Sequence, residues 1–126
     1  MANTGTVLAF GTFDGLHPGH EFFLREARQL GERLVVVVAR DAAVKALKNR
    51  PPRRPLVERL QAVRELDFVT EAVAGDDQTG DWQVLQRFKP DVIALGHDQL
   101  ALEQALRGLK LNCRLVRLGR LDYKKQ

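Results

Sequence analysis

Two histidines and three glycines follow the first apolar run of the chain, in the sequence Gly-Thr-Phe-Asp-Gly-Leu-His-Pro-Gly-His. Gly11 and Gly15 allow a close approach of the backbone to a ligand, and Pro18 is suited to the first turn of a helix. The free N–H groups of such a helix N-terminus bind anions. His17 and His20 are three residues apart and can direct ring nitrogens at one phosphate. The segment therefore predicts a phosphate-binding site.

The histidine pair also fits two other roles. Two histidines alone make an incomplete zinc site, and a single histidine is more often structural than functional. A pair inside a glycine-rich turn between a strand and a helix favours the phosphate role, and we expect no metal site built from side chains. Asp14 lies within the same turn, and we expect it to support the turn.

The elements that position this turn follow from the pattern of apolar residues. Apolar runs predict strands at 6–10, 34–39, 68–73, 92–95 and 113–118, and helical periodicity predicts helices at 21–30, 56–66, 82–88 and 99–109. This alternation predicts one α/β domain over residues 1–126, with a Rossmann-like, doubly wound sheet of five parallel strands. Ligands of such sheets bind beyond the carboxyl ends of the strands, where the strand order switches.

Composition narrows the class of protein. A chain of 126 residues that is 44% hydrophobic can bury a core without disulfides, and its one cysteine, Cys113, fits a reducing compartment. The most hydrophobic segment, 34–39, is too short to cross a bilayer and no leader precedes it, so we expect a soluble cytoplasmic protein without a membrane partner.

The net charge of +4 is concentrated in one basic run, made by Lys45, Lys48, Arg50, Arg53 and Arg54. Such a run suits polyphosphate or nucleic acid, although it is more often a solvated loop. It lacks interleaved aromatic residues and any recognised nucleic-acid motif, so we do not expect a nucleic-acid partner. Three prolines keep the connection 49–55 extended.

The segments 11–14 and 17–20 together resemble the signature of the cytidylyltransferase-like family of nucleotidylyltransferases. Further matching pieces follow in family order: Ala39-Arg40-Asp41, Lys45 with Lys48, Glu58-Arg59, Lys89-Pro90-Asp91 and Gly96-His97-Asp98-Gln99. Among the members, the segments 39–41 and 96–99 are most similar to archaeal-type FAD synthases and less similar to glycerol-3-phosphate cytidylyltransferases.

The resemblance implies transfer of a nucleoside monophosphate from a triphosphate to a phosphate-bearing acceptor, with release of pyrophosphate. It favours ATP and FMN as substrates, with CTP and a phosphorylated alcohol as the alternative, and members of the family often form homodimers. Mg²⁺ is expected because it accompanies free triphosphates. An attacking phosphate is already ionised at neutral pH. No general base is therefore needed, and catalysis consists of positioning and charge neutralisation.

The resemblance also assigns residues to roles. His17, His20 and Lys48 are the expected catalytic residues, and Lys45 is a weaker candidate. The expected nucleotide-binding residues are Gly11, Thr12, Phe13, His17, His20, Asp98 and Arg120.

Three assignments keep an alternative. Asp98 contacts the nucleotide or caps a helix that begins at Gln99. Arg59 lies on the side of the active site or is an exposed arginine. Trp82 stacks on a flavin or a base, or it packs in the core.

The tail departs from the family pattern. Members continue through an arginine into a turn rich in serine and threonine that begins a last helix and binds phosphates. This chain has Arg120 and then Leu-Asp-Tyr-Lys-Lys-Gln. One wall of the phosphate site is thus expected to be missing unless Lys124 and Lys125, or a second subunit, replace it. The alternative function is a nucleotide-binding module without turnover.

Overall fold

A computed structural model describes residues 5–77 and 80–119. The strands are β1 Thr6–Gly11, β2 Arg33–Val38, β3 Glu71–Ala74, β4 Val92–Leu95 and β5 Arg114–Arg117. The helices are α1 Pro18–Arg28, α2 Asp41–Lys48, α3 Leu56–Arg64, α4 Gln83–Phe88 and α5 Leu100–Arg107. Arg120, Lys124 and Lys125 lie outside the described residues. None of these helices combines the length and the apolarity that crossing a bilayer requires.

The five strands form one parallel sheet in the order β3-β2-β1-β4-β5. The chain moves outward from β1 through β2 and β3, and then returns to the other side of β1 with β4. The strand order therefore switches between β1 and β4, and the turn that contains both histidines leaves β1 at this point. This topology confirms the predicted fold class.

Helices cover both faces of the sheet, which is why the central strands are apolar on every side chain rather than on alternate ones. The first face carries α1 and α3, which contribute Leu24 and Val63 to one buried cluster. The second face carries α4 and α5, which contribute Val84 and Leu106 to the other. The sheet is thus a rigid layer whose carboxyl edge presents the loops.

The prediction of four helices was wrong, because the described residues contain a fifth, α2. Its sequence, Asp-Ala-Ala-Val-Lys-Ala-Leu-Lys, is rich in strong helix formers, with an acid in the first turn and lysines in the last. The helix ends at Asn49, whose φ of 60° lies in the left-handed region. Lys45 and Lys48 therefore lie on a helix rather than in a loop.

Two elements begin three residues away from their predicted starts, the largest such differences. α1 begins at Pro18 instead of residue 21, so the second histidine lies inside its first turn. β3 begins at Glu71 instead of residue 68. Phe68 lies before the strand, and its side chain packs on the first face of the sheet. The guanidinium of Arg25 lies 4.6 Å from the centre of its ring.

Candidate active site

The N-terminus of α1 is capped by a histidine. His17 has an extended backbone and its Nδ1 accepts a hydrogen bond of 3.2 Å from the N–H of His20, while Pro18 occupies the first helical position. Asp, Asn, Ser or Thr usually supplies this bond. Because Nδ1 is the acceptor, the neutral ring carries its proton on Nε2. The cap thus leaves the exposed His17 with one donor, Nε2–H, that has no partner among residues 5–77 and 80–119.

The two imidazole rings are stacked, with centroids 3.6 Å apart and planes 16° from parallel. Phe13 supports the pair, since its buried ring meets the ring of His20 edge to face at 5.4 Å. Phe13 itself has a φ of 54°. A Cβ on Gly11 would lie 2.5 Å from Cζ of this ring, so only glycine fits there. The side chain of Phe13 therefore buttresses the site from below.

Burial lowers the pKa of His20 below its ordinary value of 6.5, and the neighbouring charges of His17 and Lys48 act in the same direction. The Gly15 backbone and the carboxylate of Asp98 oppose this shift. Lys48 belongs to α2, and Asp98 follows β4. The fold therefore brings four expected site residues, from three separate segments, within electrostatic reach of one another.

Gln99 joins the two strands at the switch point. Its Nε2 donates to the carbonyl of Phe10 at 2.8 Å, and its Oε1 accepts from the N–H of Gly96 at 2.9 Å. Gln99 is also the residue before α5, and no side chain caps that helix. The alternative that Asp98 caps this helix was wrong, and Asp98 is exposed beside the histidine turn.

Arg59 is completely buried, so the alternative of an exposed arginine was wrong. One Nη donates to the carbonyls of Thr12 and Ala39, at 3.0 and 2.7 Å, and the other pairs with the carboxylate of Asp41. Its Nε donates to the carbonyl of Arg54 at 2.9 Å. One guanidinium thus connects the loops after β1 and β2 with the segment before α3.

The sequence carried a signal for this burial. Residues 56, 59, 60 and 63 are spaced as one stripe of a helix, and the other three are leucine, leucine and valine. A charged residue on the apolar stripe of a helix is either buried with partners or out of place. Arg59 belongs to the first case.

Asp14 supports the site, although not through its own turn. Its Oδ2 accepts from the N–H of Arg53 at 2.7 Å and its Oδ1 from the N–H of Arg54 at 3.0 Å. These bonds lower the pKa of the carboxyl, with that of Arg53 the largest cause, while burial opposes them. Asp14 therefore ties the proline-rich connection to the histidine turn.

Trp82 packs in the core of the second face, as its core alternative predicted. It lies directly before α4 with a φ of 57°, and its ring meets that of Phe10 edge to face at 6.2 Å. Cys113 is half-buried, and burial raises the pKa of its thiol. In the ranges 5–77 and 80–119, no group of three His, Cys, Asp or Glu side chains is placed to hold a metal ion.

The arrangement is one of cations, imidazole rings and helix-end amides at the switch point, and comparison with known proteins shows the family of the chain. The cytidylyltransferase-like family matches residues 8–125. The chain belongs to the cytidylyltransferase-like family. Its relatives make it a nucleotidylyltransferase.

Curated relatives of this cytidylyltransferase-like chain include two archaeal FAD synthases. The protein from Methanothermobacter thermautotrophicus is 47% identical over 123 residues, which cover 90% of this chain and 78% of the relative. The protein from Pyrococcus abyssi is 40% identical over 116 residues, which cover 89% of this chain and 78% of the relative.

A solved structure extends the likeness to the whole fold. The lipopolysaccharide core biosynthesis protein from Thermoplasma volcanium superposes with a TM-score of 0.82 at 36% identity. The match covers 93% of this chain and 98% of that one. The likeness confirms the five-stranded parallel fold independently of the FAD synthases.

Proposed function

We propose that this chain transfers AMP from ATP to the phosphate of FMN, forming FAD and releasing pyrophosphate. The observation that carries the proposal is the stacked histidine pair at the N-terminus of α1, with Lys48 and Asp98 beside it. The choice of substrates rests on the names of the FAD synthase relatives.

In this reaction an oxygen of the FMN phosphate attacks the α-phosphorus of ATP. A bond forms between them, and the bond from the α-phosphorus to the oxygen that bridges to the β-phosphorus breaks. The second pKa of a phosphate monoester is about 6, so the nucleophile is ionised without a protein base. The chain supplies donors instead: Nε2–H of His17, the ring of His20 and the amides at the start of α1.

Lys48 would neutralise charge on the same phosphates as they separate. It is exposed at the end of α2, where a flexible stem and a compact ammonium suit a moving phosphate group. Asp98 would contact the ribose or the base, because it lies beyond β4 on the other side of the switch point. Gly11 and Thr12 would line the phosphates with their backbone, and Arg120 would add a positive charge to the same site, as the family resemblance implies.

A divalent cation, which we propose to be Mg²⁺, would accompany the triphosphate. The described side chains do not fit a protein-built cage, because the oxygens of Asp14 already accept two backbone N–H groups. The cation would be held mainly by phosphate oxygens, and its chemistry there is to neutralise their charge.

The assignment is tested by incubating the chain with Mg²⁺, each nucleoside triphosphate and either FMN or glycerol-3-phosphate, and by measuring pyrophosphate. We expect pyrophosphate and FAD with ATP and FMN. If pyrophosphate forms only with CTP and glycerol-3-phosphate, these are the substrates instead of ATP and FMN. Tight binding of nucleotide without pyrophosphate from any pair would instead identify a binding module.

The role of His17 is tested by His17→Asn, because asparagine retains the helix cap and removes the Nε2 donor. We expect kcat to fall by about 100-fold or more, the loss typical of a removed transition-state donor. His17→Ala should lose the same turnover and also stability, since it removes the cap as well. Turnover near the wild-type rate in a folded His17→Asn protein would refute the assigned role.

A further inference from the structure

The connection between α2 and α3 is held in place by side chains of other segments. Residues 51, 52 and 55 are prolines, which have no N–H to donate, and the segment 49–55 is neither helix nor strand. Its contacts with Asp14 and Arg59 involve two residues, and Arg53 contributes one bond, from its N–H to Asp14. The N–H of Arg54 donates to Asp14, and its carbonyl accepts from Nε of Arg59.

The same two side chains reach the turn itself. Asp14 is part of the turn, and Arg59 also donates to the carbonyl of Thr12. The proline-rich connection and the histidine turn are therefore fastened twice within a few residues. Lys48 directly precedes this connection, and its charge acts on His20.

A carboxylate in a phosphate site is unfavourable, because it repels the ligand. Asp14 is accommodated because both of its oxygens are turned toward the backbone of Arg53 and Arg54. An aspartate can accept two N–H groups in this way, whereas an asparagine offers one oxygen and would set its own NH₂ against the second donor. The geometry thus requires an anion at position 14.

We propose that Asp14 is a positioning residue that clamps the Arg53–Arg54 peptide and thereby holds the basic segment 48–54 over the triphosphate. The identity of the triphosphate as ATP rests on the proposed function. The clamp itself rests on the hydrogen bonds.

Trypsin reports the clamp directly. It cleaves after Lys and Arg but not before proline, and Arg50 and Arg54 are each followed by proline. Arg53–Arg54 is thus the one peptide bond within 49–55 that trypsin cleaves. The N–H of this peptide bond donates to Asp14. We expect early cleavage there, seen as fragment 1–53 by mass spectrometry, to be about tenfold faster in Asp14→Asn, because local opening governs access.

Inorganic tripolyphosphate should slow this cleavage in the wild type and protect Asp14→Asn much less. Asp76→Asn is the matched control, because Asp76 also accepts two backbone N–H groups, those of Gln83 and Val84, at the start of α4. The control should be cleaved at Arg53–Arg54 at the wild-type rate. If Asp14→Asn does not fold, Asp14→Ser takes its place in these experiments, because serine also retains one acceptor oxygen.

Kinetics separate positioning from a purely structural role. We expect Asp14→Asn to raise the KM for ATP by about tenfold, because the apparent affinity falls with the fraction of chains whose basic segment is held in place, with a smaller change in kcat. The KM of Asp76→Asn should stay at the wild-type value. Wild-type cleavage, equal protection by tripolyphosphate, or an unchanged KM in Asp14→Asn would each overturn the proposal.

The two proposals fail in different ways. A wild-type chain that forms neither FAD nor pyrophosphate would contradict the proposed function. The protection of Arg53–Arg54 by tripolyphosphate would then still decide whether Asp14 positions the basic segment.

Discussion

Each face of the sheet buries one charged side chain within the described residues: Arg59 on the first face and Glu103 on the second. The two buried charges are stabilised by different kinds of partner. Arg59 donates mainly to backbone carbonyls, at Thr12, Ala39 and Arg54. Glu103 accepts from two guanidinium groups, at 3.0 Å from Arg107 and 2.7 Å from Arg117.

The partners decide what each buried charge does. The arginines around Glu103 are more than half exposed and return to water if the carboxylate is removed. Carbonyls fixed in loops cannot do so, and they stay unsatisfied when their donor is lost. Glu103 therefore connects α5 to the edge strand β5, whereas Arg59 determines the shape of the loops that form the site.

Removing Arg59 should have the largest effect on the molecule. Arg59→Met retains the apolar stem but leaves three carbonyls without their donor, and we expect a loss of about 3–5 kcal/mol in the free energy of unfolding. The KM for ATP should rise as well, because two site loops lose a common anchor. Urea denaturation and steady-state kinetics measure the two effects. An Arg59→Met protein with wild-type stability and a wild-type KM would contradict the role of Arg59 in shaping the site loops.

Removing the charge of Glu103 should affect stability alone. Glu103→Gln retains the shape of the side chain but loses the ion pairs. The protein should therefore be less stable than wild type, but more stable than Arg59→Met, and its KM for ATP should be unchanged. An increase in the KM for ATP would show that the second face also shapes the site.

The pH dependence of this effect has a defined sign. The hydrogen bonds from Arg117 and then Arg107 lower the pKa of Glu103 below its ordinary value of 4.5. The stabilisation is therefore complete above pH 4.5 and is lost as the pH falls through the lower folded-state pKa. Urea denaturation of wild type and Glu103→Gln across this range should show the two curves converging in acid.

The parallel sheet was predicted correctly from the sequence, and the strand-to-helix position of the histidine turn was too, because both depend on local patterns. Apolar runs predicted the strands, and the spacing of His17 and His20 relative to Gly11 predicts the phosphate site. The eight residues of α2 are too few to show a clear helical period, and the charged run around them suggested a loop instead.

The contacts of Asp14 and Arg59 that hold the turn could not be predicted from local sequence patterns. Asp14 and Arg53 are 39 residues apart, and Arg59 and Thr12 are 47 apart. Such pairs become neighbours only after parallel strands place their carboxyl ends at one edge. The position of Arg59 on an apolar stripe was the one local sign of it.

The smallest effect concerns the proton on His20. Its pKa is lowered, so the unfolded chain binds this proton more tightly than the folded one. Stability should therefore decline as the pH falls below the ordinary value of 6.5, and His20→Gln should remove that part of the decline. The negative charge of a bound triphosphate favours the protonated imidazole, so ATP should raise the pKa of His20. NMR titration of the imidazole ring measures both states, and a free-state pKa at or above 6.5 would contradict the lowering of the pKa by burial.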